Sequence, residues 1–189
     1  MNIPNALTLL RIVLIPIFVA IFYLPYEWSH LVTAAIFAIA GLTDWLDGYL
    51  ARKLNQTTPF GAFLDPVADK LIVVIAVVLL VERVGEWWFT IPAMVIIGRE
   101  IVISALREWM AELGSRTSVA VSYLGKIKTT LQIVSILVLL AAVPERAGTL
   151  IQIGFALFYL SALLTLWTMI IYLKAAWPTF ELNNDDSLK

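Results

Sequence analysis

Asp44-Trp45-Leu46-Asp47-Gly48-Tyr49-Leu50-Ala51-Arg52, followed after eight residues by Gly61-Ala62-Phe63-Leu64-Asp65-Pro66-Val67-Ala68-Asp69, sets four carboxylates in a row between long apolar runs. Acids placed beside hydrocarbon repel one another and lose hydration, which is costly unless something compensates. A bound divalent cation compensates most simply. The row therefore points to a metal-dependent site at a membrane surface.

Outward from this row the chain is apolar. Hydrophobic residues make up 61% of 189 residues and charged residues 14%, against roughly 25% charged in a soluble domain. Stretches such as Leu71 to Val81 and Leu131 to Val143 extend into runs that meet the roughly 20-residue requirement for crossing a bilayer. The net charge of −1 gives no nucleic-acid signature, so no nucleic-acid partner is expected. The absence of cysteine excludes disulfides, thiol catalysis and cysteine-based zinc sites. No small-residue cleavage site follows the first run, which is read as a retained span.

The pattern predicts an all-α membrane protein with six transmembrane helices. The spans run from about Asn5 to Leu24, His30 to Leu50, Thr58 to Arg83, Trp87 to Trp109, Val119 to Val143 and Thr149 to Ala176. Short loops connect them, so one membrane domain is expected over residues 1–177, with a polar, frayed tail over 178–189. Arg52, Lys53, Arg107, Arg116, Lys126, Lys128 and Lys174 fall at one set of ends, and only Arg83 and Arg146 at the other. The positive-inside rule turns the first set, and the acidic row with it, to the cytoplasm. Trp28, Trp87 and Trp88 suit an aromatic belt on the far face, and Trp109 and Trp177 one on the near face.

The spacing of the acids carries chemistry. Asp44 and Asp47 are three apart, and Asp65 and Asp69 four apart, so each pair shares one face of its helix. Two helices can thus present two carboxylate pairs to a common volume. Oxygen-only ligands favour a hard cation, Mg²⁺ or Mn²⁺. Gly48 and Ala51 serve either close helix packing or room for a planar base or a phosphate. Arg52, one turn past Gly48, can take a phosphate bidentately. The third helix can start at Thr58-Pro59 or at Asp65-Pro66. Thr58 is preferred, because Gly61, Asp65 and Asp69 then form one stripe, and Pro66 then becomes a kink that could aim Asp65.

Asp44, Asp47, Gly48, Ala51, Arg52, Gly61, Asp65 and Asp69 together resemble the signature of the CDP-alcohol phosphatidyltransferase family. The six-helix layout agrees. The opening Asn2-Ile3-Pro4-Asn5-Ala6-Leu7-Thr8 is similar to the family's short interfacial segment, which lies along the membrane before the first span and helps bind the CDP-linked lipid. The resemblance implies that Asp44, Asp47, Asp65 and Asp69 hold the cation. It implies that Asn5, Thr8, Gly48, Ala51, Arg52, Thr58 and Gly61 bind CDP-diacylglycerol. Asp69 is implied as the base that takes the proton from the acceptor hydroxyl, which attacks in line while CMP leaves.

Asp65 to Lys70, Gly98 to Glu108 and Gly125 to Thr129 are most similar to bacterial members of the family that join CDP-diacylglycerol and sn-glycerol 3-phosphate, giving phosphatidylglycerophosphate and CMP. An inner-membrane location in bacteria, with membrane lipid around the protein, and a homodimer are implied in the same way. The acceptor also has a physical argument. Glycerol 3-phosphate brings nearly two negative charges to a site already rich in them and needs cations of its own. Arg99, Arg107, Arg116, Lys126 and Lys128 are the candidates. Arg99 stands inside an apolar span, where an ionisable group is a functional candidate by default; a salt bridge to Glu100 or Asp69 is the competing role. Lys126 and Lys128 equally suit topology or anionic lipid binding.

Sister enzymes using serine, an inositol phosphate or phosphatidylglycerol share parts of these segments, although the basic cluster disfavours uncharged acceptors. A small ion-coupled transporter would spread its acids along a path across the bilayer, and a non-catalytic scaffold would need no acids at all. His30, the one histidine, falls toward the far face and is read as interfacial, not as part of a triad.

Overall fold

In the computed structural model the described residues are 3–54, 59–112, 123–143 and 148–186. They form six helices and, among the described residues, no strand: α1 (Ile3–Phe22), α2 (Ser29–Leu54), α3 (Pro59–Val84), α4 (Trp87–Glu112), α5 (Tyr123–Ala141) and α6 (Gly148–Asp186). From Ile3 onward the opening segment expected along the membrane surface is part of α1; Asn2 lies outside the described residues. Helix α3 opens on Pro59, whose missing amide would have no partner in the first turn anyway; Thr58 lies outside the described residues. Pro66 sits inside α3, which runs on through it.

Helix α3 ends where Gly85 adopts φ +66° and its amide returns to the Val81 carbonyl at 2.9 Å. A left-handed residue there closes the last turn, and glycine takes that conformation without a steric penalty. Helix α6 departs from expectation. The polar composition after Pro178 predicts a frayed tail, yet the helix continues to Asp186. Extending a helix that is already nucleated costs far less than starting one, and Glu181 and Leu182 are good helix formers.

The chain divides into two compact units, Met1–Gly85 with Ser135–Phe155, and Glu86–Val134 with Ala156–Lys189. In the first, α1 packs on both α2 and α3, and α2 packs on α3. Phe18 and Phe37 meet at 6.4 Å, and the buried alanines 34, 40, 68 and 76 let backbones approach closely. In the second unit, Phe89 of α4 stacks on Phe158 of α6 at 4.6 Å, and neither has any exposed surface.

The burial pattern departs from that of a soluble protein in its large exposed apolar surface and its enclosed polar groups. Leu31, Leu42, Met94, Ile101, Leu163 and Trp167 are all exposed, while Arg11, Thr33, Arg99, Lys128, Gln132 and Ser161 are buried. Hydrocarbon around the helices explains both halves of the pattern. Buried hydroxyls turn back onto their own helix: Thr33 donates to the Ser29 carbonyl at 2.7 Å, and Thr168 to the Leu164 carbonyl at 2.9 Å. By length and composition, Trp87–Met110 and Gly148–Lys174 can cross a membrane, and α1, α2 and α5 carry shorter apolar stretches.

Candidate active site

Helix α2 is unbroken from Ser29 to Leu54, so positions 44, 47, 48, 51 and 52 follow one another at helical register. Helix α3 does the same for positions 61, 65 and 69. The two helices pack against each other. Gly61 is buried and Asp69 exposed. The side chains of Asn5, Asp47, Gly48, Ala51, Arg52 and Asp65 lie outside the described residues. Among the described residues no three acidic or imidazole groups converge. His30 opens α2 fourteen residues before Asp44, about 21 Å along a helix axis, so the two do not pair.

Asp44 is held by a residue that sequence reading overlooked. Arg11 of α1 donates from Nη1 to Asp44 Oδ1 at 2.8 Å. The arginine side chain is fully buried, whereas the aspartate side chain is 41% exposed. Thr8, one turn earlier on α1, is also buried completely. The signal for Arg11 was available, since it is a charge inside the apolar run Ala6–Phe22 and stands out for the same reason as Arg99.

A second constellation lies in the other unit. Arg99 Nη1 donates to Glu100 Oε1 at 3.0 Å, and Lys128 Nζ of α5 donates to the same oxygen at 2.7 Å. The Arg99 guanidinium also lies 5.9 Å from the Tyr172 ring of α6. Arg99 is 8% exposed and Lys128 1% exposed. Of the two partners considered for Arg99, the structure selects Glu100. Two cations share one Glu100 oxygen, and the buried Arg99 Nε has no hydrogen-bond partner. A guanidinium beside an ammonium suits an anion. The side chains of Arg107 and Lys126, and all of Arg116, lie outside the described residues.

Residues 1–171 match the family model for CDP-alcohol phosphatidyltransferases. The chain belongs to that family. The Salmonella paratyphi A protein named CDP-diacylglycerol–glycerol-3-phosphate 3-phosphatidyltransferase is 58% identical over 176 residues, covering 93% of this chain and 94% of that relative. A Pseudomonas fluorescens relative of the same name is 53% identical over all of this chain and 97% of its own. One from Shigella flexneri serotype 5b is 57% identical over 93% of this chain. As a CDP-alcohol phosphatidyltransferase the chain is a membrane enzyme, and the family uses a divalent metal.

The residues present fit such a metal. All candidate donors are carboxylate oxygens, they sit one helical turn apart on two packed helices, and Asp44 keeps much of its carboxylate exposed while Arg11 fixes one oxygen. Hard cations take this donor set.

Proposed function

We propose that this protein transfers the phosphatidyl group of CDP-diacylglycerol to sn-glycerol 3-phosphate, giving phosphatidylglycerophosphate and CMP. The carrying observation is the complete eight-position motif laid on two unbroken, mutually packed helices, α2 and α3. The acceptor follows from near-full-length similarity to relatives named for glycerol 3-phosphate.

In this reading Asp44, Asp47, Asp65 and Asp69 hold Mg²⁺ or Mn²⁺, which when bound supplies Lewis-acid polarisation of the diphosphate and offsets its charge. Asn5, Thr8, Gly48, Ala51, Arg52, Thr58 and Gly61 seat the CDP-lipid, the small residues making room and Arg52 countering phosphate charge. Asp69 takes the proton from the C1 hydroxyl of glycerol 3-phosphate. That oxygen forms a bond to the lipid-side phosphorus, the bond from this phosphorus to the CMP oxygen breaks, and CMP leaves. Arg99 and Lys128, with Arg107, Arg116 and Lys126, hold the acceptor phosphate. Glu100 holds the Arg99 and Lys128 side chains in place for that role.

The active site opens to the cytoplasm in a bacterial inner membrane, supported by the excess of Lys and Arg at the acidic ends of the spans. A homodimer is proposed on the family resemblance, and cross-linking in membranes tests it. For the reaction itself, purified protein with CDP-diacylglycerol and labelled glycerol 3-phosphate should move label into the lipid phase. Chelation should abolish the transfer, and Mg²⁺ or Mn²⁺ should restore it. Label that stays aqueous with either metal rejects the reading.

A further inference from the structure

Arg11 is among the largest side chains buried without exposed surface, and it stands in the apolar stretch Ala6–Phe22 of α1. An arginine in such a place is costly and calls for a reason. Linking α1 to α2 is an insufficient one. The two helices already pack together, Phe18 meeting Phe37, a contact that needs no charge. The pair is also lopsided. Its cation is wholly enclosed, while its carboxylate remains 41% exposed. A support built into the protein interior thus grips one oxygen of an acid that faces outward. The gripped acid is the first residue of the acidic row.

We propose that Arg11 is a positioning residue for the cation site: by holding Asp44 through Oδ1 it fixes the carboxylate so that the remaining oxygen is presented to a divalent cation. The inference rests on the acidic row being a cation site. Arginine suits the role because its planar, permanently charged fork holds direction as well as charge. Partners that orient a metal-binding carboxylate typically change metal affinity by about 10–100-fold when removed.

The test is Mn²⁺ binding to the full-length protein in detergent, followed by electron paramagnetic resonance of free Mn²⁺, with metal-free thermal unfolding in parallel. Arg11→Met should raise the Mn²⁺ concentration for half-saturation by about 10–100-fold. Arg11→Lys keeps the charge but loses the fork, and should raise it by about tenfold. A helix-linking role alone would lower the metal-free melting temperature and leave the half-saturation point in place. Half-saturation that is unchanged or tighter in a folded variant overturns the proposal. If Arg11→Met does not fold, Arg11→Lys decides by the same criterion. A wild-type protein that binds no Mn²⁺ overturns the cation reading and this inference with it, whereas wild-type binding that both variants retain overturns this inference alone.

Discussion

Lys128 of α5 donates to Glu100 of α4 at 2.7 Å, and this bond joins two helices through a carboxylate that Arg99 also holds. In the proposed reaction a phosphate dianion draws on both cations, whereas a neutral acceptor does not.

Lys128→Met should therefore weaken the acceptor selectively. A hydrogen bond to a charged group is worth about 1.5–3 kcal/mol, so the KM for glycerol 3-phosphate should rise about 10–150-fold. The KM for CDP-diacylglycerol should stay near wild type. Steady-state kinetics with each substrate varied in turn checks the split.

Glu100→Gln should act on stability first. It leaves two enclosed cations facing a neutral amide, and breaking a buried ion pair costs about 3–5 kcal/mol. Glu100 retains 22% exposure, which places the loss toward the lower end. Thermal unfolding in detergent measures it.

Asp69→Asn should retain CDP-lipid binding and lose turnover by about 10²–10⁴-fold, the usual contribution of a positioned base. CMP release and CDP-diacylglycerol binding measured on one preparation separate the two effects. Near-normal CMP release removes Asp69 as the base.

Much of this was legible in the sequence because membrane segments obey few rules. Length and apolar content place α2, α3 and α4 within a few residues of their expected bounds. The acidic row was visible because four charges interrupt that pattern at helical spacing. Arg11 interrupts it too, but as a single charge it was absorbed into the first apolar run, and only the fold brings it within 2.8 Å of Asp44. The helical tail to Asp186 was missed because polar composition resembles a frayed end, whereas helix propagation depends on the turn before it. Glu100 was considered as a partner of Arg99, but its second cation is 28 residues away on another helix. Sequence separation conceals such a contact.

Gly154 gives a packing prediction. A Cβ built there lies 2.8 Å from Leu139 Cδ2, 2.9 Å from Leu139 Cγ and 3.2 Å from Val138 Cγ1. The small residue lets α6 approach α5 closely, a common device between membrane helices. Gly154→Ala should cost about 1–3 kcal/mol through overpacking, and Gly154→Val more, both read as lowered melting temperatures. An unchanged melting temperature for the valine variant would contradict the close packing.

The most direct measurement is CMP release from CDP-diacylglycerol by the purified protein, supplied in turn with sn-glycerol 3-phosphate, serine, an inositol phosphate and phosphatidylglycerol. The acidic row with the Arg99–Glu100–Lys128 trio predicts metal-dependent CMP release with glycerol 3-phosphate and little with the others. Release with serine, an inositol phosphate or phosphatidylglycerol but not with glycerol 3-phosphate would contradict it.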